Sequence, residues 1–309
     1  MPAPLPRILV LLATYNGVQW LREQINSILA QQGVVVDLLI GDDCSGDGTA
    51  TFIIEEWGSN PRITLICWPS PSGSAGANFR RLYRHANAEA YDFVALADQD
   101  DIWFPAKLEN AVFMLTKEDA QGYSCAVEAF WPGGRVNVLA QNPHLRDADF
   151  IFEGAGQGCT FVLTRKLFIC VQDFCVAHPD EADGLHYHDW LIYLIARRLG
   201  KGWCFDRRPH MRYRQHGGNE IGSRGTFGAA TRRLALMKNG WYAAQIMAAS
   251  AAASAVPVKS DTMDRIRILL SEHDSLTRRA KMMCLVARSG RRKLHDRLLL
   301  VFVAGCGWI

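Results

Sequence analysis

The chain of 309 residues is poor in several features that mark common protein classes. Its nine cysteines include no CxxC pair and no Cys/His ribbon spacing, so a structural zinc domain is excluded. Cys67, Cys125 and Cys284 lie in apolar runs, where cysteine behaves as a small hydrophobe. This usage indicates a reducing compartment without disulfides. No apolar stretch reaches the ~18 residues that span a bilayer. The apolar run at the N-terminus is too short for a signal-peptide core. The expected location is cytoplasmic. Charged residues are 21% of the chain and the net charge is +3, which excludes a polycation. No basic groove is interleaved with aromatics, so nucleic acid is not an expected partner.

What charge there is falls unevenly. Residues 1–223 hold 19 Lys+Arg against 26 Asp+Glu, a net of −7, and residues 224–309 hold 15 against 5, a net of +10. An acidic body with a basic end suggests two jobs. A boundary near 222 is expected between a body of residues 1–222 and a helical, basic region of residues 223–309.

Periodicity supplies the architecture of the body. Ile8–Ala13 is a continuous apolar run, as in a strand covered on both faces. Leu21, Ile25, Ile28 and Leu29 then mark one face of a helix. Further strands are expected at Val34–Ile40, Ile63–Trp68 and Phe93–Ala97, with helices between them and another from Pro105 to Lys117. Strand–helix alternation with short loops gives an α/β fold on a parallel sheet, whose ligands bind at the carboxyl ends of the strands. Beyond it, strands are expected at Tyr123–Trp131, Gly158–Leu163, Trp203–Asp206 and Met211–Arg214, with a helix at Leu185–Leu199. Helical spacing covers Phe227–Val256 and Thr262–Ser289.

Three strand ends carry polar clusters. They are Thr14-Tyr15-Asn16-Gly17, Gly41-Asp42-Asp43-Cys44-Ser45-Gly46-Asp47-Gly48-Thr49, and Asp98-Gln99-Asp100-Asp101. Each alone reads as turn and cap residues. Together they converge on one crevice, where the carboxylates repel unless a cation or donors compensate. A hard divalent cation bridging carboxylate and phosphate resolves this.

The segments ILVLLATYNG, LLIGDDCSGDGT and FVALADQDDIWFPAKL, in this order, resemble the family 2 glycosyltransferases of GT-A fold. HYHDWLIYLIA and YRQHGGN resemble the bacterial rhamnosyltransferase branch. The resemblance covers residues 7 to about 222. It implies a GT-A Rossmann-like nucleotide-binding sheet with a helical C-terminal extension. It implies an inverting enzyme that moves a sugar from a nucleoside-diphosphate-sugar, dTDP-L-rhamnose favoured, to a hydroxyl of a glycan or lipid-linked acceptor.

On this resemblance, Thr14, Tyr15, Asn16, Asp42 and Asp43 bind base and ribose, joined by Asp98 and Gln99 of the DXD motif. Asp100 faces a divalent metal, Mn2+ or Mg2+, on the diphosphate. Asp101 is a second contributor or the cap of the helix near Pro105. Arg214 and His216 meet the diphosphate, or for His216 the metal. Asp189 matches the general base. Trp103, Gly158, Cys159, Thr160, His188 and Trp190 fall on the acceptor side. His186 and His188 lack further ligands at zinc spacing, and the G-x-G-x-G run at 154–158 is not a dinucleotide signature.

From Arg265 to Arg297 ten Lys/Arg stand against three acids, followed by the nearly uncharged Leu298–Ile309. A segment lying on an anionic membrane, on the inner face of the cell membrane, and one packing on the protein or on a second copy in a homodimer are both compatible with this pattern. Two other functions compete with the leading one: the same chemistry with another hexosyl donor, and a non-catalytic scaffold on a transferase fold.

Overall fold

The computed structural model describes residues 4–216 and 235–309. The run at residues 7–14 is strand β1 (Arg7–Thr14), buried at every position after the first. Full burial follows from its place: β2 (Val35–Asp42) pairs with it in parallel on one side and β4 (Phe93–Ala97) on the other. β3 (Ile63–Cys67) adds in parallel to β2. Burying apolar side chains of this size stabilises the fold by about 1.5–3 kcal/mol each.

Helices fill the crossovers. α1 (Val18–Leu29) turns Leu21, Ile25 and Ile28 into the core, and the chain reverses at Gly33, whose φ of 69° favours glycine. α2 (Thr49–Trp57) and α3 (Ala75–His85) follow; Ser74 caps α3 by accepting the Ala77 N–H. The four parallel strands stand in the order β3-β2-β1-β4, so the direction in which successive strands are added reverses between β1 and β4. The carboxyl ends of these two strands form the crevice of a doubly wound sheet.

The sheet then becomes mixed. β5 (Ile102–Trp103), α4 (Lys107–Lys117), β6 (Gly122–Phe130), β7 (Val136–Leu139), β8 (Val162–Thr164), α6 (Arg165–Ala177) and β9 (Trp203–Arg214) belong to the same unit. Among the described residues nine strands take the order β3-β2-β1-β4-β8-β6-β9-β5, with β7 on β6. Two expectations are corrected here. Gly158–Thr160 is a 3-10 turn rather than strand, because the Phe161 and Thr160 N–H groups close back on Gly158 and Gln157. The two short strands expected within 203–214 are one, because register shifts against β6 let a single strand continue.

The chain forms two compact units: residues 1–141, 156–177 and 201–220 in one, and residues 142–155, 178–200 and 221–309 in the other. The second is helical: α5 (Asp149–Phe152), α7 (Pro179–Gly184), α8 (His188–Arg198), α9 (Trp241–Ala255), α10 (Asp261–Ser271), α11 (Leu276–Ser289) and α12 (Leu294–Gly305). The helical spacing over 262–289 is interrupted: Glu272 leaves helical geometry and Ser275 caps a new helix by accepting the Arg278 N–H. Residues 227–234, the start of the segment expected to be helical from Phe227, lie outside the described residues. Among the described residues no helix is long and apolar enough to cross a membrane.

The basic end of the chain is in part an interior feature. Asp149, fully buried, accepts from Tyr193 Oη (2.8 Å), Arg197 Nη1 (2.6 Å) and Arg292 Nη1 (3.1 Å). Glu153 accepts the Arg292 backbone N–H, and Arg291 donates to the Phe152 carbonyl and to Tyr242 Oη. Arg278 is buried and donates to the Leu269 and Ile309 carbonyls. These arginines spend their charge inside the helical unit. That outcome is the packing alternative for this part of the tail.

Candidate active site

The polar clusters after β1, β2 and β4 meet at the crevice, stitched by side chains that each serve two loops. Asn16 takes a left-handed φ of 48°, which asparagine tolerates. Its backbone N–H donates to Ser45 Oγ, and its Oδ1 accepts the Gly46 N–H. Asp42 accepts from the Ser45 N–H and hydroxyl, at 3.0 and 2.6 Å. Asp43 accepts from the Ser72 N–H and hydroxyl and from Arg81 Nη1 (3.2 Å). Both carboxylates are thus fixed in place. Tyr15 is half exposed beside them, with its ring open to a ligand.

The DXD segment is held from three directions. Gln99 Oε1 accepts from Thr14 Oγ1 (2.7 Å) and the Tyr15 N–H (2.8 Å), and its Nε2 donates to the Tyr15 carbonyl. Its amide therefore sets the β1 loop. Arg214, at the end of β9, donates from Nε to the Asp100 carbonyl (2.8 Å), and its backbone N–H goes to Asp101 Oδ1 (3.2 Å). Its second terminal nitrogen pairs with Glu23. Arg214 thus clamps the motif's backbone. His216 Nε2 lies 2.6 Å from Asp100 Oδ2, and the His216 ring stacks on Trp20 with centroids 4.3 Å apart. The Asp100 carboxylate suits a hard divalent cation, and the imidazole nitrogen beside it is compatible with Mn2+ more than with Mg2+, which prefers oxygen ligands.

Asp101 does not cap α4. The residue before α4 is Ala106, which makes no side-chain cap, and Asp101 is fully buried. Burial, with Asp100 and Asp98 beside it, pushes the Asp101 carboxyl well above the usual range. Burial likewise pushes the Cys159 thiol up. Asp98, Asp101 and Cys159 offer ligand atoms within 4.8 Å of one another.

Beneath it lies Lys107, fully buried at the start of α4. Its Nζ sits 3.4 Å from the Trp103 ring centroid and has no hydrogen-bond partner among the described residues. Burial pushes its ammonium down to about 8. The unfolded chain, with an ordinary lysine near 10.5, therefore holds more protons than the folded one between about pH 8 and 10.5. Stability attributable to Lys107 rises with pH across that window. Between pH 8 and 9 the wild type should gain about 1 kcal/mol relative to Lys107→Met, read from denaturant unfolding at the two pH values. Equal slopes would show that Lys107 titrates as an ordinary lysine.

The residues expected on the acceptor side fall into two groups. Trp103 is buried in β5 under this cluster, and Gly158, Cys159 and Thr160 are buried in the 3-10 turn, where Thr160 Oγ1 donates to the Gln157 carbonyl. None of these four reaches a surface. His188, Asp189 and Trp190 form the first turn of α8, in the helical unit. Asp189 Oδ1 accepts the Trp190 N–H, and the Trp190 indole donates to the Phe150 carbonyl.

Two contributors had no sequence signal. Asn78 on α3 donates to the Thr14 and Gly41 carbonyls and accepts from the Trp68 indole, which locks β1 to β2 at the crevice. Gly41 permits this approach, since a Cβ there would lie 2.9 Å from Leu82 and 3.1 Å from Asn78 Oδ1. Trp20 backs His216 from α1, where its spacing reads only as helix surface.

Comparison with known proteins fits this geometry. The model of glycosyl transferase family 2 matches residues 9–180. The dTDP-rhamnosyl transferase RfbG of Shigella flexneri is 38% identical over 237 residues, 76% of this chain and 82% of the relative. Among solved structures, S. aureus TarS 1–349 in complex with UDP superposes with a TM-score of 0.57 at 13% identity, covering 98% of this chain and 88% of that one. The mannosyltransferase PcManGT of Pyrobaculum calidifontis, in complex with GDP-Man and Mn2+, gives a TM-score of 0.50 at 18% identity, covering 99% and 88%. The strand-end carboxylates at a doubly wound crevice therefore belong to a sugar-transfer enzyme, and the chain is a member of glycosyl transferase family 2.

Proposed function

We propose that the chain transfers L-rhamnose, with inversion, from dTDP-L-rhamnose to a hydroxyl of a glycan or lipid-linked acceptor, in cytoplasmic assembly of a cell-surface polysaccharide. The observation that carries the transfer reading is the convergence of Asp42, Asp43, Asp98 and Asp100 on one crevice, with His216 set against Asp100. The choice of rhamnose is supported by the Shigella flexneri relative, whose name states that donor class.

The residues divide the work. Tyr15 offers a ring for the base, while Asp42 and Asp43 accept from base and ribose donors. Asp100 and His216 are the residues that would hold Mn2+ or Mg2+. Such a cation, when bound, neutralises charge gathering on the departing nucleoside diphosphate. Arg214 and Gln99 keep the motif and the β1 loop in register. Asp189 is the proposed base that takes the acceptor hydroxyl proton as the new glycosidic bond forms and the bond to diphosphate breaks.

Release of nucleoside diphosphate, measured with manganese and a panel of sugar nucleotides, tests the reading. dTDP-L-rhamnose should be the preferred donor. Asp100→Asn should reduce transfer to near background and weaken binding of the metal–nucleotide complex, while the melting temperature holds, because asparagine can keep a hydrogen bond to His216. Equal activity in excess EDTA and in manganese would defeat the metal assignment. Preference for a different sugar nucleotide would defeat the donor assignment.

A further inference from the structure

α12 carries more apolar surface than its own packing uses. From Leu298 to Gly305 it has no polar side chain on any face. A helix apolar all round is normally covered all round. Here Leu300, Val303 and Ala304 enter the core of the helical unit, while Leu294 and Leu298 are 60% exposed, Phe302 57% and Leu299 37%. Leu294, Leu298 and Phe302 are spaced by four and form one stripe along the helix.

Cations gather at the N-terminal end of that stripe. Arg146 lies against the last carbonyls of α11, those of Ala287 and Arg288. Arg297, on α12, donates to the Arg291 carbonyl (3.2 Å), and its guanidinium is held below its usual pKa by burial and by repulsion from Arg146. Arg288 is exposed and Lys293 half-buried at the same helix–helix corner. Unlike Arg278 and Arg292, the three arginines Arg146, Arg288 and Arg297 have no carboxylate partner among the salt bridges of the described residues. Asp296 lies beside them with its side chain mostly covered and 3.5 Å from His295.

We propose that the Leu294–Leu298–Phe302 stripe of α12, with Arg146, Arg288, Lys293 and Arg297 at its rim, docks onto an anionic lipid surface. The apolar side chains enter the acyl boundary while the cations meet headgroup phosphates. A second copy of the chain fits this face less well. A parallel twofold contact along the stripe sets one cationic rim against the other, and an antiparallel one faces each rim with the uncharged end of the partner helix, so neither supplies a counter-charge. Even at roughly 100 Å² each, four side chains supply about half of the ~800 Å² that a stable interface takes from each partner. A bilayer needs neither shape complementarity nor a matching acidic patch. The inference stands apart from the donor and acceptor assignments, because vesicle binding is measured without turnover.

The test is co-sedimentation of the full chain with vesicles of equal parts phosphatidylglycerol and phosphatidylethanolamine, against vesicles of pure phosphatidylcholine. The chain should pellet with the first and stay in solution with the second. Binding should fall as salt rises, since the Debye length shrinks to ~3 Å at 1 M. Leu298→Ser/Phe302→Ser should lose at least ~10-fold in partitioning, and Arg288→Gln/Lys293→Gln roughly fivefold per cation removed. The melting temperatures of both variants should stay close to wild type, because none of the four side chains is buried. The proposal is overturned if the full chain fails to pellet with anionic vesicles, or if Leu298→Ser/Phe302→Ser pellets as well as wild type. A concentration-dependent dimer that this double variant abolishes, with no vesicle binding, would assign the stripe to a second copy instead.

Discussion

Asp189→Asn should keep the fold and lose turnover by ~10²-fold or more, with the KM for the sugar nucleotide little changed. The asparagine retains an Oδ1 that can accept the Trp190 N–H, so the hydrogen bond at the start of α8 survives. What disappears is the basicity that the proposed role as general base requires. A purely structural carboxylate would behave differently. Its charge near a helix N-terminus contributes about 0.3–1 kcal/mol, and losing it would lower the melting temperature while leaving kcat alone. Asp189→Ala removes acceptor and charge together, so comparing it with asparagine separates the two roles. Wild-type turnover in the asparagine variant would remove Asp189 from the chemistry.

The largest effect on stability is expected at Asp149. Asp149→Asn should cost about 3–5 kcal/mol in denaturant unfolding, because it leaves the buried guanidinium of Arg292, and the largely buried one of Arg197, short of their counter-charge. The asymmetry of buried ion pairs provides the control. Asp149→Leu combined with Arg197→Met and Arg292→Met exchanges the charge cluster for apolar volume and should recover much of the loss. A cost below about 1 kcal/mol for the single variant would mean that water, not Asp149, solvates these arginines.

The parallel half of the sheet could be read from residue order alone. Apolar runs such as Ile8–Ala13 admit few alternatives when short loops and helix-period segments separate them, and Asp42, Asp98 and Asp100 follow because they stand at strand ends. The supports of the crevice were hidden because their partners are remote: Asn78 lies 64 residues from Thr14 and 37 from Gly41. Arg214 was legible as a cation near phosphate, but not as the clamp on Asp100, which depends on β9 ending beside the motif. Counting charges in the tail showed an excess without showing its direction. Arg292 and Arg297 look alike in a composition, yet one is buried against Asp149 and the other stands at a surface rim. The family 2 resemblance put Cys159 and Thr160 near a pocket; their full burial could be known only once the 3-10 turn beneath β4 was seen.

The partners in the Asp149 cluster are 143 residues apart in the chain. A ribosome adds ~5–20 residues per second, so Asp149 leaves the exit tunnel roughly 7–30 s before Arg292 does. The sheet-bearing unit has all its described strands once residue 214 has emerged, whereas α5 and α8 must wait for the last arginines. During that interval Asp149 can pair with Tyr193 and Arg197, which follow it by 44 and 48 residues, but not with Arg292, and the apolar faces of α5 and α8 lack the helices that later cover them. Completion of the helical unit therefore waits on the emergence of Arg292, well after the sheet-bearing unit has its strands.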